Sequence, residues 1–455
     1  MSTVPQQAGR ADRDRFVDAL RVLSLVVVIV GHWLMADVSP DGEVGNALAS
    51  ASWLEPATWL LQVMPLFFLV GGVAHAYALE SLHRRVPPGP GRYATFAVSR
   101  ARRLLRPTAV LVGLWVLASL ALHAAGAADG ADGELVRTAL RLVTQPLWFV
   151  GIYLGVAALA PPMLAAHRRA GAWVVLALAT GACAVDLLRF GGGVAAVATL
   201  NYALVWLTFH QLGFCLRDGL LTRARAAALV AGGTLAAVLL VALGPYPVSM
   251  VGLPGQTVSN MSPPTVALLA QGTALVGVAV LLRGPVTRAL ARPRVWTAVL
   301  VVGSAAMTAF LWHLTALFLA VQGLRWAGIT PPPAASPAWW ATRPPWLLLL
   351  TALTLVLVLA LRRFERVPGR GPVPRTRGAD VLAASGAALC SVGVLMVSVT
   401  GVDVLAGAAV RFVVLDVAPR GALGVLLLGA GLVALAGMPA RPGRAVSPPR
   451  PAARR

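Results

Sequence analysis

Residues 15–34 read RFVDALRVLSLVVVIVGHWL. An α-helix needs roughly 20 mostly apolar residues to cross the hydrocarbon core of a bilayer, so this stretch reads as a membrane span, placed at 17–36. A cleaved signal peptide is not expected, because Arg21 interrupts the start of the run and no small-residue cleavage site follows Trp33. Comparable runs recur at 57–79, 107–125, 146–166, 171–188, 197–216, 226–244, 265–282, 295–320, 345–361, 380–399 and 421–438. The predicted fold is therefore all-α, a polytopic transmembrane bundle of about 12 helices. Composition agrees: among 455 residues 58% are hydrophobic and 12% charged, and the mean hydropathy is +0.77, far from the average of soluble domains. Cys183, Cys215 and Cys390 each sit in an apolar run and offer neither a disulfide framework nor metal-ligand spacing; no metal site is expected.

All 38 basic residues are arginine; against 17 acidic ones they leave a net charge of +21. Such a surplus raises nucleic acid as a partner until the arginines are mapped. Thirty of them lie in the two tails and in alternate connections, with clusters at Arg84–Arg106, Arg168–Arg169, Arg217–Arg225, Arg283–Arg294 and Arg362–Arg377. The opposite connections hold seven, Arg137, Arg141, Arg189, Arg325, Arg343, Arg411 and Arg420, and Arg21 alone falls inside a span. Arginine-rich loops stay in the cytoplasm, so both termini are expected there, in a multi-pass plasma-membrane protein. The charge is mostly topology, the lipid bilayer is a partner, and nucleic acid is not. Arginine without lysine, with abundant Ala, Gly and Val, points to a GC-rich bacterial genome. The expected division is a cytoplasmic tail over 1–15, a main transmembrane domain over 16–366, a linker over 367–379, two further helices over 380–438 and a basic tail over 439–455.

Ionisable groups within a membrane lean towards function. On the first span Arg21 and His32 are eleven residues apart, which turns 20° past three full turns and puts both on one face. They are about 16 Å apart along the axis, and Asp18 lies within reach of an ion pair with Arg21. The bland reading is an interfacial pair and a packing histidine. MPLFFLVGG, residues 64–72, brings Phe67 and Phe68 to the paired glycines Gly71 and Gly72, which admit a helix backbone or a ligand chain. In SRARRLLRP, Arg100, Arg103 and Arg106 form a cytoplasmic stripe before Pro107, which is expected to open the third span. Guanidinium groups so placed suit phosphates, although plain positive-inside anchoring accounts for them too. Trp148 begins the fourth span, His210 lies in the cytoplasmic half of the sixth, and His313 in the outer half of the ninth. Interfacial or solvated roles suffice for His75, His83, His123 and His167. The uncharged outer loop 244–264 offers Ser249, Gln256, Thr257, Ser259 and Asn260 to a neutral polar ligand, or is simply ordered by its Pro and Gly residues. Mid-membrane carboxylate pairs, phosphate-binding glycine loops, HExxH and CxxC are all absent from the sequence.

In chain order, Asp18-x-x-Arg21 followed after ten residues by His32, then PLFFLVGG, Arg103-x-x-Arg106, PLWF, FLWH and Phe364-Glu365-Arg366 resembles the acyltransferase-3 family of integral membrane acyltransferases. The likeness covers roughly residues 14–366, ten of the twelve spans. Its most specific part is the Arg–x10–His element combined with Arg-x-x-Arg. Gly71 stands where the family's FFxxSG has serine, the Glu-Arg-Pro ending becomes Glu365-Arg366-Val367-Pro368, and the last two spans have no counterpart in the minimal pattern. The resemblance implies transfer of an acyl group, typically acetyl, from cytoplasmic acyl-CoA to a hydroxyl of a glycan or another cell-envelope or secondary-metabolite acceptor. Acyl-CoA is then a co-substrate, with no tightly bound cofactor. His32 becomes the general base; Arg21, Arg100, Arg103 and Arg106 hold the donor's phosphates; Asp18, Phe67, Phe68, Gly71, Gly72 and Trp148 line or position the channel; His313 is a second polar group near the acceptor. A transporter or flippase without acyl transfer is the alternative that twelve spans leave open.

Overall fold

The computed structural model describes residues 14–38, 44–130, 133–253, 255–364, 373–405 and 408–438. The tails 1–13 and 439–455, Asp41, Glu43 and Asp132 of the outer loops, and the sequence Glu365-Arg366-Val367-Pro368 lie outside those residues. The described helices are α1 (Arg15–Met35), α2 (Thr58–Leu61), α3 (Met64–Arg85), α4 (Arg92–Ala124), α5 (Glu134–Leu142), α6 (Leu147–Ala170) and α7 (Trp173–Phe190). They continue as α8 (Asn201–Arg217), α9 (Arg223–Leu243), α10 (Val266–Leu290), α11 (Pro293–Trp326), α12 (Pro337–Leu361), α13 (Arg377–Thr400) and α14 (Pro419–Ala436). Eleven candidate spans are long and apolar enough to cross a membrane, and α8, of 17 residues, makes the twelfth long helix. The antiparallel hairpins β1 (Ala36–Val38) with β2 (Val44–Asn46), and β3 (Val410–Phe412) with β4 (Leu415–Val417), decorate the outer loops. Leu235, Leu348 and Leu427, on α9, α12 and α14, are 60%, 72% and 71% exposed. Such surfaces would aggregate in water and are ordinary against lipid.

Three starts differ from expectation, the tenth among them: α12 begins at Pro337, eight residues before 345, with Pro344 and Pro345 inside the helix. The second span begins at Met64, because residues 52–61 form a 3-10 turn and the short α2 at the outer face. The third begins at Arg92, fifteen residues before Pro107, which is an interior proline of α4. At that place proline withdraws one N–H from the helical ladder, leaving the Arg103 carbonyl without its usual donor. The arginine stripe is therefore helical throughout. α4 is about 50 Å long at 1.5 Å per residue, enough to carry its arginine-bearing first turns clear of the hydrocarbon.

α3 and α8 pack backbone to backbone. A Cβ on Gly72 would land on the His210 carbonyl oxygen and 3.0 Å from the Gly213 Cα. α13 and α14 are not peripheral: α13 lies against α6 and α4. Ser391 donates to the Gly151 carbonyl at 2.8 Å, and Thr144 to that of Val397 at 3.0 Å.

The outer loop 244–264 is clamped onto the segment around α2. Trp59 Nε1 donates to the Val248 carbonyl at 2.8 Å and Gln62 Nε2 to that of Met250 at 3.0 Å. Asn260 Nδ2 is 2.7 Å from the Pro247 carbonyl, Ser249 Oγ bonds the Val251 carbonyl, and Ser259 Oγ accepts from Met261 and Ser262. Of the groups that suited a polar ligand, these three are engaged within the loop, and Thr257 is exposed. Buried Asp186 accepts from Asn201 Nδ2 at 2.9 Å, Tyr246 Oη at 3.1 Å and Val266 N at 2.8 Å. This one carboxylate ties α7, α8, the loop and the first residue of α10. Burial, with the Asp186 charge beside it, pushes the Tyr246 phenol above its ordinary value and keeps it a donor.

Candidate active site

α1 is capped by Asp14, whose carboxylate accepts from Phe16 N at 3.1 Å and also pairs with Arg283 at 2.7 Å. One turn on, Arg21 reaches Asp18 at 3.4 Å. His32 stands in the last turn of the same helix. Leu23 and Val30 form the exposed apolar stripe of α1, and they lie about 180° from Arg21 around the axis, on the lipid side. His32 is also exposed, but on the Arg21 face and beside His313, which is 0% exposed. Its ring therefore opens into accessible space within the bundle rather than into lipid.

The two imidazoles are joined, His32 Nδ1 to His313 Nε2, at 2.8 Å. Their planes differ by 7° with centroids 5.0 Å apart, which is what coplanar rings give when they meet edge to edge through one nitrogen each. The hydrogen positions follow. His313 Nδ1 is 2.6 Å from the Phe310 carbonyl, which can only accept, so that nitrogen carries the proton. In the neutral ring His313 Nε2 must then accept from His32 Nδ1–H. The remaining nitrogen of His32, Nε2, is left with a lone pair. This is the tautomer a general base requires.

Tryptophan donors lock the pair. Trp33 Nε1 bonds the His313 carbonyl at 3.0 Å, Trp346 Nε1 the Trp33 carbonyl at 3.0 Å, and Trp115 Nε1 the Thr315 hydroxyl at 3.0 Å. Arg343, stacked on Trp339 at 4.0 Å, reaches the Ala36 carbonyl at 3.4 Å and holds the end of α1.

An aromatic wall leads from this pair towards the arginines. Phe310 lies 5.8 Å from the His313 ring and 5.5 Å from Phe149; Phe149 meets Phe67 edge-on at 4.6 Å and Tyr153 at 5.8 Å. Phe68 stacks on Trp206 at 4.6 Å, and Trp148 lies 6.1 Å from that same indole. Tyr153 is within electrostatic range of Arg21, Arg100 and Arg103. A Cβ on Gly71 would sit 2.8 Å from Tyr153 Cε2 and 3.2 Å from its hydroxyl, so the glycine makes room for the tyrosine. Gly72 faces α8 instead. Arg103 is exposed, Arg100 lies over Phe96 at 5.5 Å, and Arg106 Nε donates to the Phe364 carbonyl at 3.1 Å.

Two histidines, His75 and His167, are buried against expectation, while His123 is half-buried at the end of α4. His75 is 1% exposed and meets His210 at 3.0 Å, Nδ1 to Nε2. It is buried because α3 runs on to Arg85, about 15 Å beyond it. His123 pairs with Asp403 at 2.9 Å, and His167 with Asp218 at 3.3 Å. Tyr153 was not expected either. The readable signals are Gly72-x-x-His75 facing His210-x-x-Gly213 across one helix contact, and a tyrosine five residues after Trp148 within the span.

A family model described as an acyltransferase domain, acyltransferase-3, matches residues 14–363. No curated protein matches the chain, and no solved structure does.

Proposed function

Because the chain belongs to the acyltransferase-3 family and is a multi-pass membrane acyltransferase, we propose that it moves an acyl group, acetyl in the first instance, from cytoplasmic acyl-CoA to a hydroxyl of a glycan or another envelope or secondary-metabolite acceptor on the outer side. The observation that carries this reading is the coupled pair of His32 and His313, with an open Nε2 on the face that also bears Arg21.

In this reading Arg21, Arg100 and Arg103 receive the donor's phosphates, and Arg106 uses the donors left after its bond to Phe364. Phe67, Phe68, Gly71, Phe149 and Tyr153 flank the path of the pantetheine arm. The 16 Å or so between Arg21 and His32 matches an extended arm of that kind. His32 Nε2 takes the proton of the acceptor hydroxyl as its oxygen attacks the thioester carbon. The C–S bond then breaks, and the departing CoA thiolate takes that proton back from Nε2. His313, accepting from His32 Nδ1–H, stabilises the imidazolium formed between these steps, and Asp18 steadies Arg21.

Release of free CoA from acetyl-CoA, read with a thiol reagent on proteoliposomes, tests the assignment. The double variant Arg103→Ala/Arg106→Ala is expected to raise the KM for acetyl-CoA tenfold or more, since bonds to charged groups contribute about 1.5–3 kcal/mol each. Its kcat at saturation stays within about twofold; an unchanged KM would remove both arginines from the donor site. His313→Ala is expected to lower kcat roughly 10- to 100-fold, the scale of losing a partner that orients a metal-bound histidine. His313→Gln, whose amide oxygen can accept from His32, recovers part of the loss. Equal activities of the two variants would contradict a role for the accepted bond.

A further inference from the structure

The helix that carries Arg100, Arg103 and Arg106 does not cap itself. α4 starts after Gly91, whose φ is +78° and which supplies no side-chain cap. The amides that an N-cap side chain and its reciprocal partner ordinarily satisfy are those of the N-cap residue and of the third helical residue. Here both donate to Asp380: Gly91 N to Oδ2 at 2.8 Å and Ala94 N to Oδ1 at 2.8 Å. Asp380 belongs to the first turn of α13, 286 residues beyond Ala94. One carboxylate thus completes a capping box from another helix, near the positive ends of two helices at once.

The approach leaves no room for an alternative at position 91. A Cβ there would land on the Pro374 carbonyl oxygen and 2.6 Å from the Arg375 Cα, and Arg375 donates to the Pro87 carbonyl at 3.2 Å. The segment entering α13 is laid across the start of α4. Further along, α13 is bonded to α6, the helix of Tyr153, through Ser391 and Gly151 at 2.8 Å. α13 is therefore tied to α4 at its own first turn and to α6 near the opposite end of the bundle. It lies outside the matched residues 14–363.

We propose that the α13–α14 hairpin is a positioning element of the donor site, acting through Asp380 on the helix that bears the arginine stripe. The inference rests on the donor-site reading above. Asp380 itself touches no substrate; it fixes where α4 begins and how its arginines are presented. The test uses full-length protein in liposomes, with Asp380→Ala and Asp380→Asn. It reads equilibrium binding of acetyl-CoA, steady-state kinetics and amide hydrogen exchange over residues 91–97. Asp380→Ala is expected to lose exchange protection there, to weaken acetyl-CoA binding and raise its KM about fivefold, the scale of a lost cap, and to keep kcat and the acceptor KM within twofold. Asp380→Asn, which retains one accepting oxygen, falls between it and the wild type. Lost protection with unchanged acetyl-CoA affinity overturns the inference, as does a parallel loss in kcat and acceptor KM. A wild-type protein that binds no acetyl-CoA removes the donor-site reading and the inference with it, while the exchange data still report on the cap.

Discussion

His32→Ala is expected to lower kcat by roughly 10³-fold, the middle of the range that a positioned general base contributes, while acetyl-CoA still binds. The expectation follows from hydrogen bonding. The Phe310 carbonyl fixes the proton on His313 Nδ1, His313 Nε2 accepts from His32, and the lone pair of His32 Nε2 is left for the acceptor hydroxyl. Of the other intramembrane imidazoles, His313 is the partner whose Nε2 accepts from His32, and His75 and His210 are buried against each other. Retained acetyl-CoA binding separates loss of the base from loss of the fold. His32→Gln, which keeps polarity but not basicity, should be as inactive as His32→Ala. Single-turnover rates measured with bound acetyl-CoA check this, and a loss below tenfold in either variant would take the base assignment away from His32.

The second large effect concerns the fold. Gly72→Ala is expected to cost more than about 3 kcal/mol, beyond the usual range for an overpacked core, and Gly72→Val to yield no folded protein. Side-chain overpacking is relieved by rotamers, whereas here the new carbon meets backbone: the His210 carbonyl on one side and the Gly213 Cα, 3.0 Å away, on the other. The reciprocal position is equally closed, since a Cβ on Gly213 would land on the Leu69 carbonyl oxygen and 2.9 Å from the Gly72 Cα. Gly113→Ala is the control. Nothing lies within 4 Å of its added carbon, and alanine in a helix gains about 1 kcal/mol over glycine. Thermal unfolding in detergent should separate the two substitutions clearly. A Gly72→Ala midpoint equal to that of Gly113→Ala would contradict the crossing.

The spans were legible because their signals are local: runs of about 20 apolar residues and arginines on one side of the membrane. Helix starts were less so. The first four turns of α4, from Arg92 to Arg106, bury one face and carry five arginines on the rest, and hydropathy marks only the part of a helix that sits in hydrocarbon. His32 and His313 stood out singly as intramembrane histidines. Their union lay beyond reach, because partners 281 residues apart leave no trace in local spacing. Gly71 and Gly72 read as one small-residue pair; neighbours on a helix point 100° apart, so one accommodates Tyr153 and the other α8. The last two spans looked like an appendage. The bonds from Asp380 and Ser391 to α4 and α6 show that they are built into the bundle.

The central claim is that acyl transfer passes through His32. The most direct measurement supplies acetyl-labelled acetyl-CoA to the arginine-rich face of proteoliposomes, with a panel of hydroxyl-bearing glycans on the other side. Wild-type protein is expected to place the label on an acceptor as an ester, with one free CoA thiol released per ester, and His32→Ala to do neither. Movement of a glycan across the bilayer without CoA release, or equal ester formation by His32→Ala, would contradict it.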